Sequence, residues 1–367
     1  MNPQRKADFE EKLRRLRSYM ERNGYGAAIL GRLDNTAWLT GGGDFKVLRC
    51  TETAFGVLLV TPERVTLVAQ YMDIDRIFDD ELIGLPVEKA SLMWFEESRE
   101  EKAMQLAGNV RVVSDLPIDG ADYRILDLFW LHYPLTDYDI SVMKDAAEQC
   151  DRMIHEIALN IEPGMTEKQI EAKIVSRYAE ADMFTKVVLV GSDERLLKYR
   201  HPNASGKRVE KIVLLHPAAC YRGIHINSTR MVSFGDIPQK LKEDYDLLNL
   251  LETQTMSLMR PGIRFRDILK ERKRLLTEYG RGGEADLHYP GALTGYLLAS
   301  AQPYLEDRMF TDRMSMDNFV TVSGAKVEEV SISGENGAEL ISAGYSWPTK
   351  TYCYEDNTYN LPTILQR

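Results

Sequence analysis

The chain has 367 residues, 44% hydrophobic and 28% charged, with a formal net charge of −10 at pH 7. That length calls for two domains, or one large and one smaller. The acidity, with no basic block to offset it, argues against a nucleic-acid or anionic-membrane surface, and the apolar fraction is that of an ordinary globular chain.

Cys50, Cys150, Cys220 and Cys353 are scattered without C-x-x-C spacing. Neither a zinc knuckle nor a disulfide framework is expected, and a reducing compartment fits best. The opening "MNPQRKADFEEKLRRLRSYM" is charged throughout and lacks the apolar core of a signal peptide. No run approaches the roughly 18 apolar residues of a membrane span, so the expected location is cytoplasmic.

In chain order, Phe9, Leu13, Leu16 and Met20 recur at helical spacing, and Asn23-Gly24 supplies the stop. Ala27–Leu30 reads as a buried strand and "LDNTAWLTGGGD" as a turn-rich connection. Phe55–Ala69 is two β-rich runs across a Pro-containing turn, hence a hairpin. A helix ("EESREEKAMQLA") and a strand ("VRVVSD") complete a small α/β domain around a mixed sheet. Thr136 is a plausible N-cap for a long helix. The boundary is placed there, giving domains 1–135 and 136–367.

The second part carries an internal echo. "IALNIEPGMTEKQIEAKIV" and "MSLMRPGIRFRDILKERKRL" each place Pro-Gly between an apolar helix end and an amphipathic helix, with Pro163 and Pro261 98 residues apart (261 − 163). Two similar α/β halves are one reading and a two-helix coincidence the other. Between the echoes lies "VLLHPAACYRGIHINSTRMVSFG", a hairpin with His216, His225 and Asn227 but no Asp or Glu before Asp236.

These features together resemble the creatinase/aminopeptidase P family over nearly the whole chain. The matching stretches are "NTAWLTGGGD", "EPGMTE", the "RPG" junction and "AKVEEVSISGENGAELIS". The resemblance implies an α+β chain: a creatinase-like N-terminal α/β domain, then a pita-bread domain of two pseudo-symmetric halves. It also implies a homodimer, with the front domain of one subunit reaching the other's pocket; Trp38 and Gly41–Gly43 could take part, or could form a tight turn.

Peptidase members hold two divalent metals on Asp, Asp, His, Glu and Glu, because closely spaced cations need several carboxylates to neutralise them. Anchored on Gly223, Thr229 and Arg230, the resemblance puts His216 at the first Asp and Asn227 at the second. In "HYPGALTG", His288 matches the first family histidine and Ala292 the metal-binding one, while Ala299 replaces another. "DNFVTVSGAK" puts Phe319 at or near the fourth ligand, and Glu328 alone survives as the fifth. One carboxylate cannot hold a dimetal cluster, so no metal and no cofactor are expected. The bland alternative is that Thr229 and Arg230 pack or ion-pair, and that Glu328 and Glu329 are solvated.

Creatinase, within the same family, hydrolyses a C–N bond without metal. By that resemblance His201 is the acid/base, His288 the second histidine and Glu328 an orienting carboxylate. Arg200 and Arg230 could clamp a substrate carboxylate, with His216, His225 and Asn227 lining the pocket. The helix "DYDLLNLLETQTMSLM" reads as charge-exposing, which leaves Glu252 aside. Three readings stay open. The first is a metal-independent hydrolase of a C–N bond in a small amino-acid-like or guanidino compound. The second is an inactive homologue that binds a peptide or metabolite. The third is an Xaa-Pro metallopeptidase with one metal on His216, His225 and Glu328. The partner expected in each case is a small molecule or peptide, with neither nucleic acid nor membrane.

Overall fold

A computed structural model describes residues 3–288, 290–298 and 300–367; Ala299 lies outside the described residues. The chain divides into two compact units, one ending at Ile140 and one spanning Ser141–Arg367.

In the first unit, α1 (Pro3–Asn23) buries Phe9, Leu13, Leu16 and Met20 along one stripe, as helical spacing requires. The strands are β1 (Ala27–Arg32), β2 (Thr53–Val60), β3 (Val65–Gln70), β4 (Glu88–Leu92), β5 (Val112–Ser114) and β6 (Ala121–Tyr123). They form one sheet in the order β4-β3-β2-β1-β5-β6. β1, β2 and β3 pair antiparallel, while β3–β4, β1–β5 and β5–β6 are parallel. Helices α2 (Leu33–Thr40), α3 (Tyr71–Arg76), α4 (Arg99–Ala107) and α5 (Ile125–Trp130) complete the unit.

The stretch expected as a turn-rich connection is instead the helix α2. Thr36 and Thr40 return their hydroxyls to the carbonyls of Leu33 and Thr36, and Gly41 caps the helix at φ 62°. Trp38 is only 1% exposed and stacks on His132, so it is core rather than a surface for a second subunit.

The division between the units falls within α6 (Asp137–Leu159). Thr136 caps its start: its hydroxyl accepts from Asp139 N, and Thr136 N donates to the Asp139 carboxylate. The second unit continues with α7 (Glu167–Glu180), β7 (Phe184–Ser192), α8 (Glu194–Lys198), β8 (Ile212–Tyr221), β9 (Ile224–Asn227) and β10 (Arg230–Ser233). Then come α9 (Gln239–Leu258), α10 (Phe265–Glu278), β11 (Ala292–Leu293), α11 (Gln302–Leu305), β12 (Ser315–Val322), β13 (Ala325–Ile332) and β14 (Glu339–Leu340). The last strands are β15 (Thr349–Tyr354), β16 (Asn357–Pro362) and β17 (Leu365–Gln366).

The repeat seen in the sequence is structural. After α6, Gly164 turns the chain at φ 90°, its N–H bonds Val209 O, and Thr166 bridges Arg208. After α9, Gly262 does the same at φ 88°, bonding Phe310 O, and Arg264 bridges Met309. Both junctions open a 14-residue helix, α7 or α10. Each half contributes a sheet: β17-β10-β8-β7 with β9 on β8, and β11-β12-β13-β14. Thr229 N bonds Glu328 O and stitches the first sheet to the second.

Helix α9 departs from its expected exposure. It packs against β12, β13 and β15, and residues from Leu247 to Ser257 are almost all buried. Glu252, at 0% exposure, has neither carboxylate oxygen hydrogen-bonded. Burial, reinforced by Glu329, pushes its carboxyl well above the ordinary range, so it is held neutral. No helix among the described residues is long and apolar enough to cross a membrane.

Candidate active site

Period-two alternation in three strands builds the site. On β13, Lys326 and Glu328 share a face, and across the ladder they oppose Thr321 and Phe319 on β12. Asp317 lies two residues before Phe319 on that same face and is itself paired with Ala292 on β11. From the other sheet, His216 on β8 and Asn227 on β9 turn the same way, Asn227 standing opposite Ala218. The positions named by the resemblance therefore converge.

Glu328 is the hub. Its Oε2 lies 2.7 Å from His216 Nδ1, 2.7 Å from Thr229 Oγ1 and 2.7 Å from Lys326 Nζ. Burial alone would raise its carboxyl; His216 and Lys326 outweigh that and hold it well below the usual range, so it is ionised. Burial lowers His216 despite the neighbouring carboxylate. Its Nδ1–H donates to Glu328, and Lys326 brings a positive charge to the same carboxylate oxygen.

Asn227 Nδ2 donates to Asp317 Oδ2 at 2.5 Å. Burial, with the Glu328 charge beside it, pushes the Asp317 carboxyl well above its ordinary range. Asp317 Oδ1 and Asn227 Oδ1 are buried with no hydrogen-bond partner.

Toward the surface, His201, exposed on the loop after α8, sets its Nε2 3.2 Å from His288 Nε2. His288 also meets Thr321 Oγ1 at 3.4 Å and lies against Phe319, ring centroids 5.0 Å apart. Burial first, then the Lys326 charge, lower both histidines, His288 to about 3. Neutral imidazoles facing a buried carboxyl–carboxylate pair are a general acid–base arrangement.

Three of the expected substrate contacts sit elsewhere. Arg230 is 0% exposed: it binds Glu329, Asp151 Oδ1 at 3.1 Å and Ser342 O at 3.0 Å, on the opposite face of β13 from Glu328. It holds the interior together rather than clamping a substrate, and Glu329 is its buried partner rather than a solvated acid. Arg200 binds Glu284 and donates to Thr321 O at 3.0 Å, so it braces the loop. His225 donates Nδ1–H to Gly295 O at 2.9 Å and pairs with Cys220, four residues along β8 from His216, about 13 Å at strand rise.

Sequence reasoning missed Asp317 and Lys326. Counting in twos from Phe319 and Glu328 reaches both, so the signal was present. Asp317, two residues earlier, is the carboxyl that the reading of Phe319 left absent.

Together, two repeated halves enclosing a buried cluster of carboxyls and histidines, plus a separate unit around a mixed sheet, define a hydrolase of the pita-bread class. A family profile described as metallopeptidase family M24 matches residues 141–335. The chain belongs to that family, as the resemblance to creatinase and aminopeptidase P implied. An Xaa-Pro dipeptidase of Pyrococcus horikoshii is 21% identical over 292 residues, 75% of this chain and 78% of the relative. An Xaa-Pro dipeptidase structure from Bacillus anthracis superposes with a TM-score of 0.74 at 18% identity, covering 98% of this chain and 100% of its own. The dipeptidase PepE of Mycobacterium ulcerans gives 0.73 at 15% identity, over 99% of each chain. These likenesses bear out the fold class, a creatinase-like front domain followed by a pita-bread domain.

The two metals implied by the family do not fit this donor set. Asn227 is neutral, Ala292 ends in a methyl group and Phe319 is a phenyl ring. Glu328 Oε2 already has three donors. The single-metal set of His216, His225 and Glu328 does not assemble either, because His225 lies too far along the strand. Among the described residues no group of three or more His, Cys, Asp or Glu is placed to hold a metal ion.

Proposed function

We propose that the protein hydrolyses the C–N bond of a small peptide-like compound without a bound metal, with Xaa-Pro dipeptides as the first class to try. The observation that carries the reading is the His201–His288 pair above the Lys326–Glu328–Asp317 cluster. Neutral His201 takes a proton from water as the water oxygen adds to the carbonyl carbon. It then returns that proton to the departing nitrogen as the C–N bond breaks. His288 orients His201, and Glu328 holds the floor of the site in register. The curated relative and the structural neighbours named for Xaa-Pro dipeptides favour a peptide over the guanidino compound expected first from sequence. Those same names favour a metallopeptidase; the neutral side chains at Asn227, Ala292 and Phe319 weigh against it. A homodimer in the cytoplasm is the proposed setting.

The test is to incubate chelator-treated protein with Xaa-Pro dipeptides and creatine-like compounds and to quantify the released amine. Cleavage of a dipeptide, lost in His201→Ala with binding retained, is the expected result. Saturable binding with no product from any compound would leave a binding protein instead.

A further inference from the structure

The same site contains a cation of its own. Lys326 is a buried ammonium, its side chain 4% exposed, on a strand whose alternation fixes it beside Glu328. Burying either charge alone is costly; burying the two in contact is tolerable only because they neutralise each other. The Phe319 ring lies 5.7 Å from Lys326 Nζ, so the phenyl at a ligand position offers its face to the ammonium. Asn227 is an amide where the family has a carboxylate, and Ala292 and Phe319 offer no donor. Glu328 and Lys326 then sum to zero. Two dications placed here would add four positive charges to a site that holds two carboxyls, Glu328 and Asp317, and already contains the Lys326 ammonium. They would also have to displace the three donors already on Oε2.

We propose that Lys326 is the resident cation of this site, an ammonium in the role that divalent metal plays in the family, and that it closes the site to such metals. The inference rests on the metal-free part of the proposed function but not on turnover. The ammonium holds the Glu328 carboxylate in place, so that His216 Nδ1–H and Thr229 Oγ1–H have a fixed acceptor. Of its three N–H donors, one is engaged by Glu328, which leaves donor capacity for the carbonyl or carboxylate oxygen of a substrate.

The experiment is a double-mutant cycle on the full chain, with metal counting. Wild type, Lys326→Met, Glu328→Gln and the double variant are unfolded in denaturant. Each is also dialysed against Mn²⁺, Co²⁺ or Zn²⁺ and its bound metal counted. Each single variant should lower the folding equilibrium constant roughly a hundredfold, because it strands the partner's charge. The double variant should fall by less than either single one. Wild type should take up no stoichiometric metal. Single-variant losses that add in the double variant, a Lys326→Met protein as stable as wild type, or one metal per wild-type chain would each overturn the proposal. If Lys326→Met does not fold, Glu328→Gln decides: undiminished stability there counts against it. Failure to find a substrate would leave these readouts unchanged, so the two proposals fail separately.

Discussion

Two buried polar networks, one in each unit, contain a histidine and a carboxyl, and they are finished differently. In the first unit His132 Nε2 donates to Asn35 Oδ1 at 2.8 Å, and Asn35 Nδ2 donates to Asp115 Oδ2 at 2.9 Å. Gly31 N and Arg32 N complete Asp115 at 2.7 and 3.0 Å, so both of its oxygens are satisfied. In the second unit the His216–Glu328–Lys326 network is ionic. Beside it, Asn227 Oδ1 and Asp317 Oδ1 are left without a hydrogen-bond partner. Native interiors rarely leave buried polar atoms orphaned. The contrast separates a network that locks a fold from one that keeps capacity for a ligand.

Both faces of β13 sharpen the comparison. Residues Thr229 and Glu328 face the site, whereas Arg230 and Glu329 face the interior. Arg230→Met strands Glu329 and Asp151 and should cost about 3–5 kcal/mol in denaturant unfolding; a loss below about 1 kcal/mol would refute its structural role. His201→Ala should cut turnover of any substrate roughly 100-fold or more. Because His201 is exposed, stability should shift by no more than about 0.5 kcal/mol. Asn35→Ala breaks the finished network and should cost about 1–3 kcal/mol, with ligand binding in the second unit unchanged.

The smallest effect is a pH slope. Burial depresses His132 from 6.5 to about 3. Below pH 6.5 the unfolded chain takes up a proton that the folded chain refuses, so stability present above 6.5 is lost as pH falls toward 3. The slope is at most about 1.4 kcal/mol per pH unit. Asp115, raised by burial to about 6 despite its three donors, opposes this: its folded carboxyl binds a proton that the unfolded one releases, adding stability as pH falls through 6. Comparing wild type with His132→Gln isolates the histidine. The difference in unfolding free energy should move against wild type as pH drops from 6.5 to 5, and a pH-independent difference would contradict the assignment.

What was legible in the sequence was local. The stripe of α1, the cap at Thr136 and the 98-residue echo of Pro163 and Pro261 follow from periodicity and turn chemistry that neighbouring residues determine. His201, His216, His288 and Glu328 were legible because motif spacing carries them to one place. The roles of Arg200 and Arg230 were not, because their partners Glu284, Glu329 and Asp151 lie 79 or more residues away. Asp317 and Lys326 were missed because their importance depends on the β12–β13 register, which pairs Phe319 with Glu328. Glu252 was placed in solvent because its helix was judged without the sheet that covers it.

The central claim is that a lysine-balanced carboxylate, rather than metal, serves this member of a metallopeptidase family. The most direct measurement is the initial rate of dipeptide cleavage before and after exhaustive chelation, then after adding back Mn²⁺, Co²⁺ or Zn²⁺. The account predicts one rate throughout; a rate abolished by the chelator and restored by a divalent ion contradicts it.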